Sequence, residues 1–70
     1  MKITYDPEGD ILTIRLGEGR PVDSEQVRPG LIVDYDAHDN VLGLEIYSIS
    51  KRYPPIDFQH LDIQLPGKRA

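Results

Sequence analysis

The 70-residue chain reads as an all-β, mainly antiparallel protein, a small meander sheet of five or six strands with at most one helical turn near 48–53. Two observations predict this. Apolar residues recur with period two, as in Lys2-Ile3-Thr4-Tyr5 and Leu61-Asp62-Ile63-Gln64-Leu65, which suits a strand with one buried face. Clusters of Gly, Pro and Asp separate the apolar runs at short intervals, and none of the runs is an amphipathic helix.

Ile3 and Tyr5 alternate with Lys2 and Thr4 in the first strand. Asp6-Pro7-Glu8-Gly9 follows as a turn: Asp bonds back to the backbone, Pro presets φ, and Gly accepts a left-handed conformation. Two registers suit this hairpin. A loop from Asp6 to Gly9 aligns Ile3 with Leu12, whereas a shorter loop with Gly9 in a bulge aligns Tyr5 with Ile11. Ile11-Leu12-Thr13-Ile14-Arg15-Leu16 is β-branched and aliphatic and forms the second strand, broken by Gly17 to Pro21. Val22 to Val27 is polar and lies between prolines, so it reads as an edge strand whose charges prevent unwanted pairing.

Leu31 to Asp36 and Val41 to Tyr47 are the two clearest strands, joined through Ala37-His38-Asp39-Asn40. That loop sets Asp36 opposite Val41, Tyr35 opposite Leu42, Val33 opposite Leu44 and Leu31 opposite Ile46, and gathers the apolar residues on one face. Asp34, Asp36 and Glu45 fall together on the reverse, solvated face, with Asp39 capping the turn. Ser48 to Tyr53 makes one helical turn or leaves the sheet, since Pro54-Pro55 forbids a longer helix. A final strand is expected near 61–65, ended by Pro66-Gly67. Residues 1–70 are thus expected to be a single domain, with 53–70 as a C-terminal extension.

A sheet with an apolar face must bury it, and no helix here is long enough to cover this one. A chain of this size buries only about 60% of the surface its unfolded form exposes. Without cysteine, neither a disulfide nor a thiolate metal site can reinforce it. The expected cover is a second copy laid on Leu12, Ile14, Leu42, Leu44 and Ile46, and the alternative is a sheet curled into a small barrel.

The charge balance restricts the partners. The net charge is −4, and residues 1–50 hold ten of the twelve acids but four of the eight bases. An acidic body lacks the basic stripe that nucleic acid requires. No apolar run reaches the ~20 residues that span a bilayer. A cytoplasmic protein is expected, and the lack of cysteine agrees with a reducing compartment.

Chemistry is harder to find. Asp34, Asp36 and Glu45 match positions 1, 3 and 12 of a calcium loop, but Asp39 stands where that loop needs glycine, and no helices flank it. They are the weak cation or small-ligand candidates, and no metal or cofactor is otherwise implied. Asp6, Glu8 and Asp10 are accounted for by turn chemistry, since a wet loop tip does not raise a carboxyl pKa for acid catalysis. His38 and His60 have no helical ligand spacing, and Ser24, Ser48 and Ser50 lie in no nucleophile elbow. Gly17-x-Gly19 lacks the rest of a phosphate-binding pattern. No enzymatic activity is expected.

Several segments in order resemble a known family of small prokaryotic proteins, the domain of unknown function 2283. They are Met1 to Asp10, Ile11 to Leu16, Ser24-Glu25, Pro29 to Asp36, Val41 to Ile46 and Ser50-Lys51-Arg52. The resemblance covers residues 1 to about 52, and Tyr53 to Ala70 does not align with it. Relatives often carry Gly in the second hairpin turn, where this chain has His38-Asp39-Asn40, and Asp or Asn tolerates the left-handed conformation there. The resemblance implies no catalytic residue. Some relatives stand beside small toxin-like genes, which implies an antitoxin-like accessory role with a small toxin-like protein as partner.

Overall fold

In a computed structural model, which describes residues 1–67, five antiparallel strands form one open sheet followed by a helical turn. The strands are β1 (Lys2–Asp6), β2 (Ile11–Arg15), β3 (Asp23–Arg28), β4 (Leu31–Tyr35) and β5 (Val41–Tyr47), and the turn is α1 (Ile49–Arg52). Their order is β1-β2-β5-β4-β3. The β1–β2 hairpin and the β3–β4–β5 meander meet where β5 pairs with β2. The connection from β2 to β3 crosses one end of the sheet, tied by the Leu16 N–H to the Leu42 carbonyl and by the Val22 N–H to the Tyr35 carbonyl.

The expected edge strand forms as β3, and the expected helical turn forms as α1. Ser48 enters α1 in a left-handed conformation, and Arg52 at its end donates to the carbonyls of Tyr47 and Pro29. Arg52 thereby clips the turn onto the β3–β4 loop. Gly30 there has φ +80°, and a Cβ on it would strike the Arg52 guanidinium.

Both hairpins depart from the expected registers. In the first, Asp6 pairs with Ile11, Tyr5 with Leu12 and Ile3 with Ile14, so the loop is Pro7 to Asp10. Neither of the two registers read from the sequence forms. The left-handed residue is Asp10 rather than Gly9, while Asp6 accepts from the Glu8 N–H as expected. In the second, Leu31 opposite Ile46 and Val33 opposite Leu44 form as expected. Past Asp34 the ladder shifts, and Tyr35 pairs with Val41 instead of Leu42. Leu42, passed over at this shift, is buried at 4% exposure, and among the described residues Ile49, at 3%, is the other buried apolar side chain.

The apolar face is not covered by barrel closure, because β1 and β3 are free edges of an open sheet. The strand expected near 61–65 is also absent, and Leu61 to Leu65 runs as exposed, unpaired chain. A strand requires a neighbouring edge as well as a pattern, and this segment has no ladder partner among the described residues.

Candidate functional site

Strand alternation sorts the side chains onto two faces. One face carries the rows Ile3–Ile14–Leu44–Val33 and Tyr5–Leu12–Ile46–Leu31 across β1, β2, β5 and β4. The expected interface residues Leu12, Ile14, Leu44 and Ile46 lie in these rows, and Leu42 continues them along β5. Only Leu42 of the five is buried; the others remain part-exposed. The C-terminal segment covers one corner. Phe58 stacks on Tyr5 with ring centroids 3.7 Å apart, and Ile56, Phe58 and Leu61 enclose a cleft of about 390 Å³ over Ile3, Leu12 and Ile14.

The opposite face carries Thr4–Thr13–Glu45–Ile32–Gln26 and Lys2–Arg15–Gly43–Asp34–Ser24. Gly43 is required at its position: a Cβ there would come within 2.8 Å of the Ile14 carbonyl oxygen. Its missing side chain leaves room between β2 and β4, where Asp34 is 6% exposed. Ser24 donates its hydroxyl to Asp34 at 2.6 Å, and Tyr47 donates to Glu45 at 2.9 Å. Glu45 lies diagonally across the ladder from Asp34. The Asp34 carboxyl and burial push the Glu45 carboxyl above its ordinary range. Ser24, Asp34, Glu45 and Tyr47 therefore form a polar chain across β3, β4 and β5.

A second polar node ties the first hairpin to α1. Asp10 accepts from the Tyr5 hydroxyl at 2.9 Å, the Ser50 hydroxyl at 2.7 Å and the Ser50 N–H at 3.2 Å. Its own carbonyl accepts from the Ile49 N–H. The Ser50 hydroxyl leads in holding the Asp10 carboxyl below the usual aspartate range. The hydrogen bond to Asp10 in turn holds the Tyr5 hydroxyl above the usual phenol range.

Asp36 does not join Asp34 and Glu45. It accepts from the His38 and Asn40 N–H groups and the Asn40 amide, and these hold its carboxyl below the usual range. Asp36 rather than Asp39 caps the turn; Asp39 takes the left-handed conformation at φ 65°. Asp34 itself is moreover buried rather than solvated, while Glu45 beside it stays part-exposed. The cation set is thus reduced to the Asp34–Glu45 pair. Among the described residues no group of three or more His, Cys, Asp or Glu is placed to hold a metal ion. Sequence reasoning missed Asp10, Ser24 and Ser50 as structural partners. Their signal lay in the family-like segments, which include all three.

No curated protein and no solved structure matches the chain. The family described as "Protein of unknown function (DUF2283)" matches residues 2–50. That span takes in all five strands and both polar nodes and stops before the C-terminal segment. The chain belongs to the DUF2283 family.

Proposed function

We propose that the chain is a non-enzymatic protein-interaction module that self-associates in the cytoplasm, with the apolar sheet face seated on a second copy. The observation that carries this reading is surface left over. A compact monomer of 7.9 kDa exposes roughly 4,400 Å² on the usual scaling with mass. This chain exposes 5799 Å². Its radius of gyration is 14.0 Å, where a compact chain of 70 residues has about 11 Å. The excess, which includes the exposed Leu61 to Leu65, exceeds the ~800 Å² that each partner buries in a standard interface. Part-exposed Leu12, Ile14, Leu44 and Ile46 supply the apolar centre such an interface needs.

Light scattering behind size exclusion tests it. The expected mass is twice 7.9 kDa, and Leu44→Asp returns it to one chain with its far-ultraviolet circular dichroism retained. A monomeric wild-type chain would sink the reading. The antitoxin-like role implied by the family resemblance is the hetero-association form of the same idea, with a small toxin-like protein in place of the second copy. A co-purified foreign chain on that face would select it. The cation-binding alternative is weakened because Asp36 is engaged by its own hairpin turn.

A further inference from the structure

The C-terminal segment lies outside the family match, yet it carries the cleanest alternation in the chain: Leu61-Asp62-Ile63-Gln64-Leu65. Period-two alternation buries side chains only when the segment is a strand beside another strand. Here the five residues form no ladder, and Leu61, Ile63 and Leu65 are between 60% and 87% exposed. We propose that Leu61 to Leu65 of one copy pairs with the free edge of β1 of a second copy, the two tails being exchanged reciprocally. This rests on the self-association reading and states how the second copy is held.

The two free edges are not equivalent. The β3 edge is bulged between Gln26 and Arg28, and on the side of the apolar rows it carries the charged Asp23 and Glu25, poor neighbours for Leu61, Ile63 and Leu65. The β1 edge is regular from Lys2 to Asp6 and sets Lys2 within reach of an added strand carrying Asp62. Ile3 and Tyr5 of β1 belong to the apolar face, so Leu61, Ile63 and Leu65 in an added strand would extend it by one row. Edge addition of this kind draws affinity from main-chain hydrogen bonds and specificity from alternate side chains.

Geometry favours the second copy over the chain's own edge. In its own molecule Phe58 sits on the ring of Tyr5, and Leu61 joins the cleft over Ile3. The tail thus approaches its own β1 from above the sheet face and not from beside the edge.

The test uses the full chain, with backbone amide exchange followed by nuclear magnetic resonance and a mixed sample of differently isotope-labelled copies. Ile63→Pro and Gln64→Pro are made separately, because successive N–H groups of a strand point to opposite sides and one of the two removes a ladder bond. The expected result is a dimer with slowed exchange at 61–65 and cross-copy contacts between that segment and Lys2 to Asp6. At least one proline variant then weakens association by roughly tenfold or more while keeping the monomer's sheet signal. A dimer with freely exchanging tail amides and unaffected proline variants overturns tail exchange and leaves face-to-face association standing. Protected tail amides in a monomer show pairing with the chain's own sheet and overturn both, as does a wild-type monomer with an unprotected tail.

Discussion

Asp10 and Asp34 each accept a serine hydroxyl, from Ser50 forty residues away and from Ser24 on the adjacent strand, at 2.7 and 2.6 Å, yet their settings differ in kind. Asp10 faces donors alone: Tyr5, Ser50 and the Ser50 backbone. Asp34 faces a donor on one side and the Glu45 carboxyl on the other. One node therefore requires an anion, whereas the other is relieved by a proton on Glu45. Asp10 joins segments forty residues apart, fastening the β1–β2 hairpin to α1. The Asp34 chain links neighbouring strands that their own ladders already hold. Similar residues thus do unequal structural work.

Removing the anion breaks the comparison most severely. Asp10→Ala leaves Tyr5 and Ser50 without their common acceptor and frees α1 from the hairpin, so it should lower the thermal midpoint more than any other change at either node. The Asp10 carboxyl titrates below its ordinary value when folded. Its contribution is therefore complete above the unfolded-state value and fades as pH falls through the folded one. The gap between wild type and variant should narrow in acid. Melts of both chains from neutral to acid pH check this, and a constant gap would deny Asp10 its role as an anion.

Ser50→Ala is the milder test of the same node. It removes one hydroxyl donor but keeps the Ser50 backbone N–H on Asp10. A loss of about 1 kcal/mol is expected for one such bond, or about 4–8 °C in midpoint for a chain of this size. Ser24→Ala at the other node is the matched control, and it should cost less because the β3–β4 ladder remains. Equal losses at the two serines would erase the distinction between fastening distant segments and linking neighbours.

How much of this was legible beforehand depends on the range of the forces involved. The strands and the pairing of Leu31 with Ile46 and Val33 with Leu44 follow from side-chain polarity, which a sequence displays locally. The first hairpin is different. Its turn ends at Asp10 because that residue is held by Ile49 and Ser50, some forty positions later, and local turn rules point instead to Gly9. The bulge at Asp34 likewise removes Asp36 from the face on which simple alternation had placed it. The acid cluster consequently dissolved into one capped turn and one carboxyl pair. Leu61 to Leu65 is expected as a strand and forms none, because alternation shows which side chains could share a face and not whether the segment pairs with an edge.

The smallest expected effect has the opposite sign and concerns the proton on the second node. Glu45 is held above its ordinary value in the folded chain, first by Asp34 and then by burial. Below the unfolded-state value it is protonated in both states and costs nothing. As pH rises past that value the unfolded chain ionises first, so stability falls, and the full cost is present above the folded value. Glu45→Gln keeps an oxygen for the Tyr47 hydroxyl and an amide able to donate to Asp34, but removes the titration. At neutral pH the variant should be more stable by about 0.5 kcal/mol, a modest figure because most of the side chain is solvent-screened, or about 2–4 °C in midpoint. That gain should vanish in acid, where Asp10→Ala also converges on wild type from below. A Glu45→Gln chain that melts lower at neutral pH would mean that Asp34 and Glu45 do not oppose each other, and that the two nodes work alike.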